Sequence, residues 1–569
     1  MIKFARLLLL ITGLGLFADN ILAQSLPVGT LGIEDYYRRA QLAGKIDSNI
    51  SFTVRPLYPV EQFKAASVFA TEADGDSYSG KYFKYALPYN NNIGATATLL
   101  PITILQQLNS DHPYGWNDGP IIPAKGLQTY LSAGIFAKIG ILSIQLQPEF
   151  VLAQNKNYDD LNTKTFGVTT ARYYDFYNLI ELPSRFGTSA YNNAYWGQSS
   201  IRLNYANLSF GISAENLWWG PGMYNALIMG NDAPGFRHFT FNTIKPIKSP
   251  IGSFEWQIVA GSLNNANYPP LTPTREYFSS SLYIPKPDLP RHISGLVFTW
   301  QPKWVSGLFL GFTRSSQLYN KDVEGLSDYL PFFNEFSGTS ADNAVFKKKD
   351  YRSSIFARWL WPAEHAEVYF EYGHNNNYNT LADAAIAPQT NRAYTIGLRK
   401  IIPFNLARHE DLVISVEGTE LGETSIEKIR NLDSWYVNKY ITQGYTNNGQ
   451  SLGAGIGPGG NFQTIDVSWV RGVKRLGLQV ERFLHNDDLY YYLYEGSEDF
   501  RRHWVDLSIG LNGVWNYNHL IFTAKLQFVH SLNYQYYLDP ALEIPGQSYF
   551  VNGITANNLH AQAGISYRF

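Results

Sequence analysis

Two glutamates, Glu367 and Glu371, stand four residues apart in a stretch that alternates polar and apolar side chains. Paired carboxylates are the equipment of a glycosidase, one acting as acid and the other as base or nucleophile. On an extended strand, however, four residues cover roughly 13 Å, too far for an ordinary retaining pair. They read better as water-facing carboxylates on the wall of a barrel. His112, His238, His292, His365 and His530 show no H-E-x-x-H or other metal-ligand spacing. The serines of "TRSSQ" and "YRSSI" lack a G-x-S-x-G elbow, although a Ser–His pair at a lipid rim would leave no linear signature. "GAGIGPGG" at 453–460 has glycines but no Lys-Ser/Thr and no following helix, so it reads as a flexible loop and not a phosphate cradle. "FKKKDYR" around Lys347 is a solvated basic run that can meet acidic sugars or lipopolysaccharide phosphate. With no cysteine there is no disulfide, thiol chemistry or Cys-ligated metal. No catalytic residue, metal or cofactor is expected from these motifs.

One stretch stands apart: "SAENLWWGPGMYNALIMGNDAPGFRHFTF". Trp218 and Trp219 precede a rigid Gly-Pro-Gly turn, and Tyr224, Asn225, Asn231, Asp232, Arg237 and His238 follow among apolar residues. Sugar rings lay their C–H faces on aromatic planes while amides and guanidinium groups bond the hydroxyls. Trp218, Trp219, Tyr224, Asn225, Asn231 and Arg237 are therefore candidate saccharide contacts in an outer loop. The competing reading is an interfacial aromatic girdle with a packed loop.

The elements that must position these residues are strands. From about residue 95 the alternation is insistent: Leu476, Leu478 and Val480 oppose Gln479 and Glu481, and Val505, Leu507, Ile509 and Leu511 oppose Asp506, Ser508 and Asn512. The last strand follows suit, with Leu559, Ala561, Ala563, Ile565 and Tyr567 on one face. The apolar sets carry no charge, as a lipid-facing wall requires, since a charge there costs roughly 2–4 kcal/mol. A soluble sandwich would alternate too. Composition favours the membrane: 15% aromatic residues and only 16% charged ones, against roughly 25% in soluble domains. With 45 Lys+Arg against 47 Asp+Glu, no basic excess points to nucleic acid. Lys3 and Arg6 precede an apolar run at 7–17, and a plausible cut follows Ala23, the pattern of a cleaved secretory signal. No later stretch is apolar enough for a transmembrane helix.

Short connections ("KIGI", "YANL", "QPKWVSG", "LWPAEHAE", "RGVKRLG") alternate with long irregular ones at about 150–197, 216–252, 315–352, 420–461 and 531–558. That is the rhythm of outer-membrane barrels, with turns in the periplasm and loops outside. The expected architecture is an all-β transmembrane antiparallel β-barrel of about 18 strands over 95–569. A signal peptide (1–23) and an N-terminal helical or periplasmic segment (24–94) precede it, with a short helix in "IEDYYRRAQLAGK" and residues 58–92 left between short helices and loop.

The sequence resembles the capsule-assembly Wzi family of bacterial outer-membrane proteins. The resemblance rests on "ENLWWGPG" with "LIMGNDAPGF", on "WNDGPIIPAKGLQTYLSAGIFAKIGILSIQLQPEF" at 116–150, and on "IEDYYRRAQLAGK…SFTVRPL"; beyond residue 270 it is one of barrel character only. It implies an 18-stranded barrel with a small helical bundle that holds capsular polysaccharide at the Gram-negative cell surface. The implied partners are that polysaccharide, outer-membrane lipid or lipopolysaccharide, and the barrel-assembly machinery, which the family's terminal Phe addresses. The polysaccharide's identity does not carry over. A porin or substrate-specific channel is the second expectation and a membrane-embedded hydrolase the third.

Overall fold

The computed structural model describes residues 24–65, 69, 82–86, 94–161, 165–329, 348–375, 386, 388–389, 391–423, 434–495, 503–537 and 554–569. The expected signal peptide with its cut after Ala23, Lys347 of the basic run, and most of 66–93 lie outside them. Lys348 and Lys349 of that run pair with Asp322 at 3.4 Å and Asp328 at 2.6 Å.

Eighteen antiparallel strands close into a barrel. They are β1 (Gly94–Asn109), β2 (Gly126–Ile139), β3 (142–153), β4 (191–205), β5 (Leu208–Ser213), β6 (238–249), β7 (Gly252–Leu263), β8 (Arg291–Pro302) and β9 (Leu308–Tyr319), followed by β10 (Asp350–Trp361), β11 (Ala366–Asn375), β12 (Arg392–Asn405), β13 (Glu410–Glu420), β14 (Asn461–Arg471), β15 (Lys474–Leu484), β16 (Val505–Tyr517), β17 (Leu520–Leu532) and β18 (Ala556–Tyr567). Strands β3, β4 and β6 are each interrupted once: both halves of β3 pair with β2 and β4, both halves of β4 with β3, and both halves of β6 with β7. Closure comes from β18 on β1, His560 facing Asn109 through Tyr567 facing Ile102, so the terminal strand has no free edge.

The pleat sorts side chains as the alternation requires. Leu478 is 45% exposed on the outer wall, while its neighbour Gln479 is 7% exposed inside. Every short turn lies at the end where β18 finishes (the turn end), and the long connections lie at the opposite end (the loop end). The stretch 216–252 is not all loop: Phe239 and Phe241 alternate with His238, Thr240 and Asn242 to make β6. Its mixed neighbours and Pro246 conceal that strand from a reading of periodicity alone.

The lumen is filled with protein. At the turn end sits α1 (Ile33–Leu42), with Glu34 and Asp35 in its first turn and Gly44 at φ +70° just past its end. Leu42 packs against Phe309, Leu360, Ile401, Val413 and Val470, apolar residues that five strands turn inward at this level. Those inward apolar positions make sense only with a helix seated on them. From the loop end the connections 110–125, 214–237 and 434–460 descend and interlock, with Gly119 N donating to Asn231 O (2.7 Å) and Gly230 N to Leu452 O (2.7 Å). Trp219, Leu227, Ile228, Met229, Trp435 and Tyr436 form an apolar core inside the barrel. Glu367 and Glu371 are accordingly not water-facing: both are fully buried against this filling, which a period-two pattern cannot distinguish from a wet lumen.

Candidate functional site

The Trp-Trp turn is the joint between the loop-end filling and the N-terminal segment. Trp218 and Trp219 pair as a two-residue strand with Arg55 and Val54, and Gly220 N donates to Thr53 O at 2.9 Å. The Trp219 indole donates from Nε1 to Gln257 Oε1 on β7 (2.9 Å) and lies over Gly295 of β8, where a Cβ would come within 2.7 Å of the ring. Gly220 adopts φ +106°, and a Cβ there would stand 2.6 Å from Glu371 Oε2, so the turn needs glycine on both counts. Pro221 and Gly222 then offer their carbonyls to Arg38 Nη2 (2.9 Å) and Arg55 Nη2 (3.0 Å), and the Arg55 guanidinium stacks 4.7 Å above Trp218. The N–H groups of Met223, Tyr224 and Asn225 converge on the Glu417 carboxylate at 2.7 to 3.2 Å, and the Tyr369 hydroxyl joins them at 2.7 Å. These four donors compensate the buried carboxylate.

A network of ion pairs locks α1 beneath that turn. Glu367 lies between Arg38 Nε (2.8 Å) and Arg358, whose Nε and Nη2 sit at 2.6 and 2.5 Å. Arg358 continues to Ser51 O and Gln41 Oε1, both at 2.9 Å. Asp35 is ringed by Arg39 (2.7 Å), Arg399 and Arg475 (3.7 Å). Burial alone would raise the Asp35 carboxyl, but the charges of Arg399, Arg39 and Arg475 together hold it well below the usual carboxylate range.

The candidate saccharide contacts therefore do not sit together on an open outer loop. Trp218 (4% exposed), Trp219 and Asn225 (both 0%) are inside the barrel, because their loop turns inward onto the N-terminal segment. Asn231 is also buried, donating to Asn117 O at 2.9 Å and accepting from Asn216 at 2.7 Å. Tyr224 is half-buried at the edge of the core. Arg237 is exposed, on the same outward side as Phe239.

A second gathering of aromatic rings lies at the loop end, among residues that match no motif. Helix α2 (Gly167–Tyr177) of the β3–β4 connection packs on α3 (Asp487–Tyr494) of the β15–β16 connection, joined by Tyr536. Tyr173, Tyr174, Tyr177, Tyr490 and Tyr494 come together there. Beside them opens a cavity of about 330 Å³. Its wall includes the segment 533–536, where Asn533, Gln535 and Tyr536 hold φ at +50°, +55° and +58°. Such backbone costs roughly 1–3 kcal/mol per residue outside glycine and persists where surrounding structure enforces it, often at functional sites. The signal was present as three tyrosine runs, "RYYDFYNL", "DLYYYLY" and "NYQYYL", far apart in the chain.

The family model described as capsule assembly protein Wzi matches residues 113–519. Among solved structures, the chain is similar to Wzi of Escherichia coli, an outer-membrane protein involved in group 1 capsule assembly and described as a carbohydrate-binding β-barrel. The match has 13% identity and a TM-score of 0.58, and covers 96% of this chain and 100% of that one. A BenF-like porin from Pseudomonas fluorescens matches at 6% identity and a TM-score of 0.37, covering 84% of this chain and 98% of that one. No curated protein matches the chain.

Proposed function

The chain belongs to the capsule-assembly Wzi family, and we propose that it is a non-enzymatic outer-membrane protein that binds capsular polysaccharide and retains it on the cell surface. The observation that carries this reading over a porin is the apolar core inside the lumen, where a porin keeps a polar, water-filled channel. In this reading residues 1–23 direct export and are removed near Ala23, and the barrel-assembly machinery inserts the barrel with its loop end outward. Arg237, on the outer wall at the loop end, meets lipopolysaccharide phosphate. Trp218, Trp219 and Asn225 act on polymer indirectly, by seating the loops that present it, with Tyr224 and Asn231 beside them. Many copies on one cell multiply weak contacts with a long chain through avidity.

Deletion of the protein should leave polymer synthesis and export intact while shifting polymer from the cell surface into the medium. The purified barrel in a planar bilayer should show no steady conductance. A stable open channel would make it a porin, and a fall in polymer production would assign it to export. Trp218→Ala with Trp219→Ala should release polymer only in proportion to lost folded barrel; release at full folding would give the pair direct contact.

A further inference from the structure

The loop-end cavity has features that restrict what can occupy it. Tyr173, Tyr177, Trp504, Tyr534 and Tyr536 line it, and its volume of about 330 Å³ is that of a small-molecule site. Gln535, 4% exposed, contributes to the wall; its Nε2 donates to Asp159 O at 2.9 Å, while its Oε1 has no hydrogen-bond partner. A buried acceptor left open in this way calls for a donor such as a hydroxyl. Among the described residues, no lysine or arginine lines the cavity. Its acidic and basic side chains are Asp160, which accepts from Leu161 N and Ser184 Oγ at 2.7 Å each, and His485, which is held to Asp506 at 2.7 Å and stacked 3.7 Å from Trp504. A carboxylated ring would therefore meet the Asp160 carboxylate with no lysine or arginine to balance it, and His485 is already engaged by Asp506. The left-handed backbone at Asn533, Gln535 and Tyr536 fixes rings and amide before any ligand arrives, which lowers the ordering cost of binding.

We propose that this cavity is a subsite for one uncharged pyranose ring of the polysaccharide, stacked on the aromatic wall with a hydroxyl donating to Gln535 Oε1. It rests on the polysaccharide-binding reading above and adds the location and the charge class of the sugar. The full-length protein in detergent is run through gels containing the cell's own purified surface polysaccharide. Methyl glycosides of neutral hexoses and 6-deoxyhexoses, and of glucuronic and galacturonic acid, serve as competitors.

Trp504→Ala should weaken retardation about tenfold, the worth of one aromatic contact, and Leu182→Trp, which fills the cavity from its lining, should do at least the same. At least one neutral glycoside should compete and the uronides should not. The subsite is overturned if a uronide competes as well as the best neutral glycoside, or if no neutral glycoside competes. It is also overturned if wild type is retarded and the variants are retarded equally, which leaves the polysaccharide reading standing. No retardation of wild type overturns both. Should Trp504→Ala lose the heat-modifiable gel shift of a folded barrel, Leu182→Trp decides alone.

Discussion

Replacing Glu367 with glutamine should unseat the N-terminal segment. The side chain is fully buried, and its two oxygens serve Arg38 and Arg358, themselves at most 5% exposed. Glutamine keeps the volume and one acceptor but removes the charge that compensates two buried guanidinium groups. Breaking a buried ion pair from one side costs about 3–5 kcal/mol. If that cost falls on the docking of α1, the ratio of seated to unseated segment drops about a hundred- to several-thousand-fold. Arg358 also carries Ser51 and Gln41, and Arg38 carries Pro221, so the loss spreads to the Trp-Trp turn. Two measurements read it: transient conductance in a planar bilayer and protease cleavage within 24–65, both rising above wild type. Glu371→Gln is the matched control, on the same strand face and equally buried. Its carboxylate accepts from Ser354 Oγ at 2.6 Å, and among the described residues it forms no salt bridge. That change should cost under about 1.5 kcal/mol, the net worth of an ordinary hydrogen bond. Equal behaviour of the two variants would refute the claim that ion pairing to Glu367 seats the segment.

Leu478→Arg places a charge on the lipid-facing wall and should destabilise the assembled barrel by roughly 2–4 kcal/mol. Gln479→Arg faces inward beside Glu481, to which Gln479 already donates at 2.7 Å, and should lower the yield of folded barrel less; equal yields would mean the register is wrong. Burial pushes the Asp232 carboxyl up to about 7, well above its value in an unfolded chain. The folded state then holds the proton more tightly, so stability falls as pH rises from about 4 to about 7 and levels off beyond. Asp232→Asn should flatten that fall in the midpoint of the heat-induced gel shift between pH 4 and 8, and an unchanged slope would exclude Asp232 as its source.

Wall register and the assignment of short turns to one end were legible because each follows from a local rule, and the strand number was legible as about 18 although β6 lay hidden in a stretch read as loop. Period-two alternation puts Leu478 and Gln479 on opposite faces whatever lies beyond them, and lipid forbids charge on one of those faces. The ends of α1 were legible for the same reason, through Glu34 and Asp35 at its start and Gly44 at its stop. The contents of the lumen were not. A polar inward residue facing water and one facing an ion partner look identical in sequence, so Glu367 and Glu371 passed for wetted carboxylates. Trp218 and Trp219 carried the right chemistry for a sugar, yet whether a loop stands outward or folds back depends on Val54, Arg55, Gln257 and Gly295, which lie between 38 and 165 residues away in the chain. The loop-end cleft needed the same long-range assembly, since its tyrosines come from three connections and its left-handed backbone from packing that no single segment contains. By itself the sequence determined a lipid-facing wall of about 18 strands, because periodicity and transfer energy act residue by residue. Only the tertiary structure decided what that wall encloses and where a ligand can reach, because burial and partner choice are properties of contacts between distant segments.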